Sequence, residues 1–159
     1  MRKIVILLTG IAVLALVNYS IYEKEQLLAN GRVAFLELVP VDPRSLMQGD
    51  YMALRFKLQR DASPAGNLRD GHIVAALDNR QVATFRRIDD GTPLAADELK
   101  IIYRVRANEV KLGTNAFFFQ EGDAEYYRGA RYCEARIDHD GQMLLTGLRD
   151  ENLQRLGPR

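Results

Sequence analysis

The chain of 159 residues carries 22 Lys and Arg against 21 Asp and Glu, and this net charge of +1 offers no basic surface of the kind that binds nucleic acid. A single cysteine, Cys133, excludes an internal disulfide, so the fold has to be stabilised by its core alone. Two histidines and one cysteine do not supply the clustered ligands of a zinc site. We therefore predict no metal and no cofactor.

The N-terminal segment is apolar and long enough to cross a membrane. No formal charge occurs between Lys3 and Glu23, a span of roughly 28 Å as a helix, close to the ~30 Å hydrocarbon core of a bilayer. Arg2 and Lys3 favour a cytoplasmic N-terminus, and Tyr19 and Tyr22 are aromatic residues of the kind that lie at the membrane interface. The rest of the chain is then expected on the opposite side of the membrane.

This pattern predicts a membrane anchor helix over residues 1–30 and one extracytoplasmic domain over residues 31–159. A cleaved secretory signal is the alternative, and it would need a small-residue cleavage site after a shorter apolar region. The nearest small residues, Ala12 and Ala15, are wrongly spaced and lie inside the apolar run. We therefore favour an anchor that is retained.

After Gly31 the hydrophobic pattern changes to a period of two, which is typical of β-strands. The strands predicted in chain order are 33–41, 51–58, the hairpin of 73–77 and 82–85, 99–105, 116–119, and the hairpin of 132–137 and 142–148. A polar connection is predicted over residues 59–70, and Asp123 is predicted to cap a short helix over 124–130. Strands at such short intervals predict a mainly β domain, an antiparallel β-sandwich or a partly open barrel with one short helix.

Two statements about burial follow from the strand pattern. Cys133, Ala135 and Ile137 alternate with polar residues, which predicts a buried, structural cysteine. The aromatic run Phe117-Phe118-Phe119 is predicted to lie in the core, because aromatic side chains mostly fill protein interiors.

The most distinctive stretch is the connection between the first two predicted strands. Pro40 and Pro43 restrict its backbone, and Gly49 permits a turn that other residues resist. Two interpretations stay open: a fixed corner between strands, or a preorganised rim that binds a partner. On the second interpretation, the partner-binding residues are predicted to be Asp42, Arg44, Gly49, Asp50 and Tyr51.

Residues 49–56 read Gly-Asp-Tyr-Met-Ala-Leu-Arg-Phe, which resembles the motif that names the GDYXXLXY-domain family of bacterial membrane-anchored proteins. The segments 40–44, 118–122 and 132–148 are also similar to segments of that family. Phe56 stands where the motif has Tyr, so that hydroxyl cannot be essential here. The resemblance implies one anchor, a β-rich extracytoplasmic domain and no established catalytic activity. Because members are often encoded beside multi-pass membrane proteins, it also implies a membrane partner.

We therefore expect a non-enzymatic accessory or binding domain on a single-pass anchor in the bacterial inner membrane, with a periplasmic C-terminal domain that works with a multi-pass membrane protein. The alternative is a membrane-anchored hydrolase that uses Asp50 and Glu121, or a Ser45/Lys57 pair. A Ser/Lys pair needs the amine within hydrogen-bond reach of the hydroxyl and a lysine pKa lowered by burial. A third alternative, a small ligand bound inside a barrel, also stays open.

Overall fold

The computed structural model describes residues 2–39, 51–63, 69–107 and 109–158. Its first element, α1 (Arg2–Asn30), is a continuous helix of 29 residues whose apolar side chains are exposed. Within the described residues it is the one helix long and apolar enough to cross a membrane.

The junction between α1 and the following strand is tight at Gly31. The amide of Gly31 donates to the carbonyl oxygen of Leu27 at 2.9 Å, and the guanidinium of Arg136 donates to the carbonyl oxygen of Gly31 at 3.0 Å. A Cβ at Gly31 would meet the Leu27 oxygen and lie 3.1 Å from the Cβ of Arg136, so a larger residue does not fit there. Leu27 is the buried residue of α1, and Lys24 Nζ donates to Gln142 Oε1 at 3.0 Å. These contacts fix the end of the helix against the domain.

The rest of the described chain forms nine strands and two short helices. In chain order these are β1 (Arg32–Glu37), β2 (Tyr51–Ala53), α2 (Lys57–Ala62), β3 (Gly71–Leu77), β4 (Val82–Ile88), β5 (Glu98–Arg106), β6 (Glu109–Leu112), β7 (Ala116–Phe118), a 3-10 helix (Asp123–Tyr127), β8 (Tyr132–Ile137) and β9 (Met143–Arg149). Seven strands form one curled sheet in the order β6-β5-β3-β4-β1-β8-β9, and β2 and β7 form a separate two-stranded ribbon. The mainly β, half-barrel architecture confirms the predicted fold class.

The strand pairs are antiparallel with the exception of β1 and β4, which run parallel with Phe35 opposite Val82. The first strand of the domain therefore lies inside the sheet, between β4 and β8.

The sheet curls until the turn between β8 and β9 reaches β5. The amide of Ile102 donates to the carbonyl oxygen of Gly141 at 2.8 Å, and the side chain of Met143 lies against Gly113. Gly141 has φ of 84°, in the left-handed region that glycine adopts at little cost. The contact joins the two ends of the half-barrel.

Alternate residues of the strands face the interior. In β5 these are Leu99, Ile101 and Tyr103, and in β8 they include Cys133 and Ala135; all five are buried. The predicted burial of Cys133 is thus confirmed, and burial raises the pKa of its thiol. A thiol that stays protonated is a poor nucleophile.

The predicted strand over residues 51–58 is too long, because the ribbon strand ends at Ala53 and α2 begins at Lys57. The burial pattern is nevertheless correct, since Met52, Leu54, Phe56 and Leu58 are all buried. The change of element occurs at Phe56, whose amide donates to the side-chain oxygen of Gln59 at 2.9 Å and so starts a helical turn.

The predicted polar connection over 59–70 therefore begins with helix, and the short helix predicted over 124–130 is a 3-10 helix that ends at Tyr127. Asp123 does not cap it. Gly122, with φ of 92°, occupies the N-cap position, and its freedom at positive φ makes the turn that leads into the helix.

Two glycines offer a matched test of the closure at Gly141. Gly91→Ala adds a Cβ in open space at φ of 86°, whereas a Cβ at Gly141 lies 3.1 Å from the Ile102 nitrogen and 3.2 Å from the Lys100 carbonyl carbon. Both changes carry the left-handed penalty of about 1–2 kcal/mol. We expect Gly141→Ala to cost about 1–3 kcal/mol more through displaced backbone, measured by thermal unfolding of the full chain in detergent. Equal losses for the two variants would contradict the closure contact.

Candidate binding surface

Of the partner-binding residues predicted from the sequence, the structure describes one, Tyr51. The others, Asp42, Arg44, Gly49 and Asp50, lie outside the described residues, as does Ser45 of the hydrolase hypothesis. The site is therefore described through the ribbon of β2 and β7, in which Tyr51 is the first residue of β2.

Tyr51 forms an exposed aromatic pair with Phe118 across the ribbon. The two residues are directly opposite in the β2–β7 register, and their ring centroids are 5.7 Å apart. The ring of Phe118 is 73% exposed and that of Tyr51 is 37% exposed. We call these two residues the aromatic pair.

The exposure of Phe118 corrects the prediction that the run Phe117-Phe118-Phe119 lies wholly in the core. Because side chains alternate along a strand, Phe117 and Phe119 point away from Phe118. Their ring centroids lie 5.1 and 5.2 Å from that of Tyr127, and both rings pack on the core. Phe118 is left on the opposite face, where it is exposed and pairs with Tyr51.

Tyr126, on the 3-10 helix, is a third exposed aromatic residue of the domain. Its side chain is 54% exposed, while its neighbour Tyr127 is buried between Phe117 and Phe119. Tyr126 is not among the binding residues predicted from the sequence. Exposed aromatic rings that contact each other, as in the aromatic pair, mark interaction surfaces more often than scattered apolar residues do.

The ribbon that bears the aromatic pair is connected to the end of β1 that is remote from α1. β1 begins at Arg32, next to the helix, and beyond its last residue Leu38 forms an isolated bridge with Phe56. The amide of Leu54 in turn donates to the carbonyl oxygen of Asn115 at 2.7 Å, which continues the ribbon. Since the six residues of β1 span roughly 20 Å, the bridge between Leu38 and Phe56 lies about that far from the end of α1.

The residues of the hydrolase hypothesis that the structure describes are Lys57 and Glu121. Lys57 Nζ lies 2.8 Å from Glu37 Oε2, and this hydrogen bond raises the pKa of the lysine. A lysine that activates a serine needs a lowered pKa instead. Glu121 is exposed. Neither Lys57 nor Glu121 makes a contact that supports the hydrolase, which remains a hypothesis.

Within the described ranges, no group of three or more His, Cys, Asp or Glu side chains is arranged to hold a metal ion. The interior of the half-barrel is occupied by large apolar side chains. The largest fully buried ones are Phe56, Leu36, Ile73, Ile101, Leu112, Ile137 and Leu148.

These features define a class of protein: a small β half-barrel that follows an N-terminal helix able to span a membrane and displays an aromatic pair on an outer ribbon. The family model described as GDYXXLXY protein matches residues 13–148, and the chain belongs to that family. The match begins within α1 and ends in β9, so it includes part of the helix as well as nearly all of the barrel. No curated protein and no solved structure matches the chain.

Neighbouring phenylalanines provide a test of the ribbon's two faces. Phe118→Ser removes a ring that is mostly in water, so we expect the free energy of unfolding to change by no more than about 0.5 kcal/mol. Phe117→Ser removes a ring that packs on Tyr127 and the core, and we expect a loss of about 2–3 kcal/mol. Thermal unfolding of both full-length variants in detergent measures the difference. A Phe118 variant as unstable as the Phe117 variant would show that Phe118 is a core residue.

Proposed function

We propose that this protein is a non-enzymatic accessory domain, anchored by α1 in the bacterial inner membrane with its N-terminus in the cytoplasm. The half-barrel lies on the periplasmic side and binds a multi-pass membrane protein through the aromatic pair. The proposal is supported by the apolar exposed helix, by Arg2 and Lys3 at its start, and by the family membership.

The observation that carries the binding role is the exposure of Phe118 beside Tyr51. Phe118 is 73% exposed, so most of an apolar side chain is in contact with water, which is unfavourable, and it does not contribute to the core. Covering a side chain of this size by a partner would contribute roughly 1.5–3 kcal/mol. Phe118 stands directly opposite Tyr51, which is itself a residue of the naming motif.

The length of β1 adds a requirement for the partner. If the ribbon, like the bridge between Leu38 and Phe56, lies roughly 20 Å from the end of α1, the partner has to reach it with a periplasmic loop or domain, because membrane-embedded surfaces end at the headgroups. Both proteins are confined to one membrane, which raises their effective concentration. A contact area centred on two aromatic rings can therefore suffice.

Orientation is tested by topology reporters. We expect a periplasm-dependent reporter fused after Arg159 to be active, and a cytoplasm-dependent reporter at the same position to be inactive. The physical reason is the positive charge of Arg2 and Lys3, which holds the short N-terminal end in the cytoplasm. Activity of the cytoplasmic reporter alone would refute this orientation and, with it, the periplasmic binding role.

The partner surface is tested by photo-crosslinking in intact membranes. A photoreactive residue at position 118 should give a discrete adduct with a multi-pass membrane protein, and Tyr51→Ser should reduce that adduct several-fold. The control is a photoreactive residue at Arg86, which is exposed on β4, outside the ribbon. Identical adducts from positions 118 and 86, or adducts at 118 that contain no membrane protein, would contradict the proposal. Variant levels in the membrane are compared by immunoblot.

A further inference from the structure

A groove lies between the last turns of α1 and the rim of the half-barrel. Its volume is about 640 Å³, within the range of small-molecule sites. One wall is α1 from Tyr19 to its end, and the other is formed by the start of β5 and the turn between β8 and β9. The hydrogen bond from Lys24 to Gln142 joins the two walls.

The groove is at the level of phospholipid headgroups. The uncharged part of α1 ends at Tyr22, and the headgroup layer adds about 5–8 Å on each side of the hydrocarbon core. At about 1.5 Å per residue this layer corresponds to the four or five helix positions after Tyr22. Lys24 lies in these positions and contacts the turn between β8 and β9. The rim of the barrel therefore lies beside the headgroups.

Side chains of both charges line the groove, and two of the cations contact neutral acceptors. Lys24 and Arg32 donate to neutral acceptors, Gln142 Oε1 and the carbonyl oxygen of Glu98, so that neither charge is neutralised by these contacts. Glu23 and Asp140 add two carboxylates. The side chain of Asp140 is 66% exposed, and its Oδ2 lies 3.2 Å from Nε2 of His139, while Glu23 accepts a hydrogen bond from the side chain of Tyr19.

The remaining charges in the groove are engaged. Lys100 forms an ion pair with Asp89 at 2.7 Å, and Glu98 forms one with Arg87 at 2.8 Å. Asp138 accepts the amides of Asp140 and Gln142 within its own turn. The charges left for a ligand are thus those of Lys24, Arg32, Glu23 and Asp140, and the two carboxylates already have Tyr19 and His139 as neighbours in the groove.

We propose that this groove binds the headgroup of a zwitterionic phospholipid that carries a primary ammonium group. The phosphate would be held by Lys24 and Arg32, and the ammonium by Glu23 and Asp140. A primary ammonium donates three hydrogen bonds to carboxylates, which a quaternary ammonium cannot do. An anionic headgroup without an amine would leave both carboxylates unpaired near its own negative charge. This site is separate from the aromatic pair and does not depend on the partner proposed above, but it rests on the proposed anchoring of α1 in the membrane.

The test uses the full chain in nanodiscs that contain equal parts of phosphatidylethanolamine, phosphatidylcholine and phosphatidylglycerol. Native mass spectrometry of the released protein should show phosphatidylethanolamine retained several-fold above the other two lipids. The double variant Glu23→Gln, Asp140→Asn should abolish this preference, while Lys24→Gln with Arg32→Gln should reduce retention of all three lipids. The control is Arg86→Gln with Glu151→Gln, two exposed charges outside the groove.

Equal retention of the three lipids by the native sequence, or an unchanged preference in the Glu23/Asp140 variant, would overturn the proposal. Adding soluble phosphoethanolamine distinguishes the source of the ligand. The lipid should persist because its acyl chains stay in the bilayer, and its displacement by the soluble compound at low concentration would assign the groove to a soluble ligand instead. Circular dichroism confirms that each variant is folded.

Discussion

The hydrogen bond between Ile102 and Gly141 is the constraint on which the arrangement of the domain depends. It brings the turn that follows β8 against β5, at a place where a Cβ on residue 141 would collide with backbone. Closing the curled sheet there encloses the apolar faces of the strands and leaves the two-stranded ribbon outside it. The same closure places β5 and the turn between β8 and β9 beside α1, which creates the groove between the helix and the barrel. One backbone contact thus sets the core, the ribbon and the groove.

Much of the fold could be predicted from local sequence because its signals are local. The uncharged run after Lys3 predicts α1, and the alternation of Leu99, Ile101 and Tyr103 predicts β5. The alternation from Met52 to Leu58 predicts burial correctly but not the start of α2. A short amphipathic helix and a strand can bury the same residues, and the deciding contact is a side-chain hydrogen bond from Gln59. β6, with four residues, is too short to stand out, although Val110 and Leu112 alternate within it.

The candidate surfaces were harder to predict because they depend on tertiary contacts. The naming motif includes Tyr51, which was predicted to bind a partner. The run of three phenylalanines, however, does not indicate which face of the strand is covered. Strand period alone places Phe118 opposite Phe117 and Phe119. That the outer face stays open follows only from the separation of the ribbon from the main sheet. The groove joins Lys24 and Asp140, more than a hundred positions apart, and no local pattern relates them.

The central position of β1 has a consequence for how the domain is made. Its neighbours are β4, with which it pairs in parallel, and β8, which is among the last strands to be synthesised. β1 is the first strand to be synthesised after α1, and most of the polypeptide has to follow before both of its edges are paired. Such long-range pairing slows folding and exposes the waiting strand to wrong partners. Because α1 directly precedes β1, that strand stays next to the end of the helix during the interval, so a chaperone that protects it would have to act close to α1.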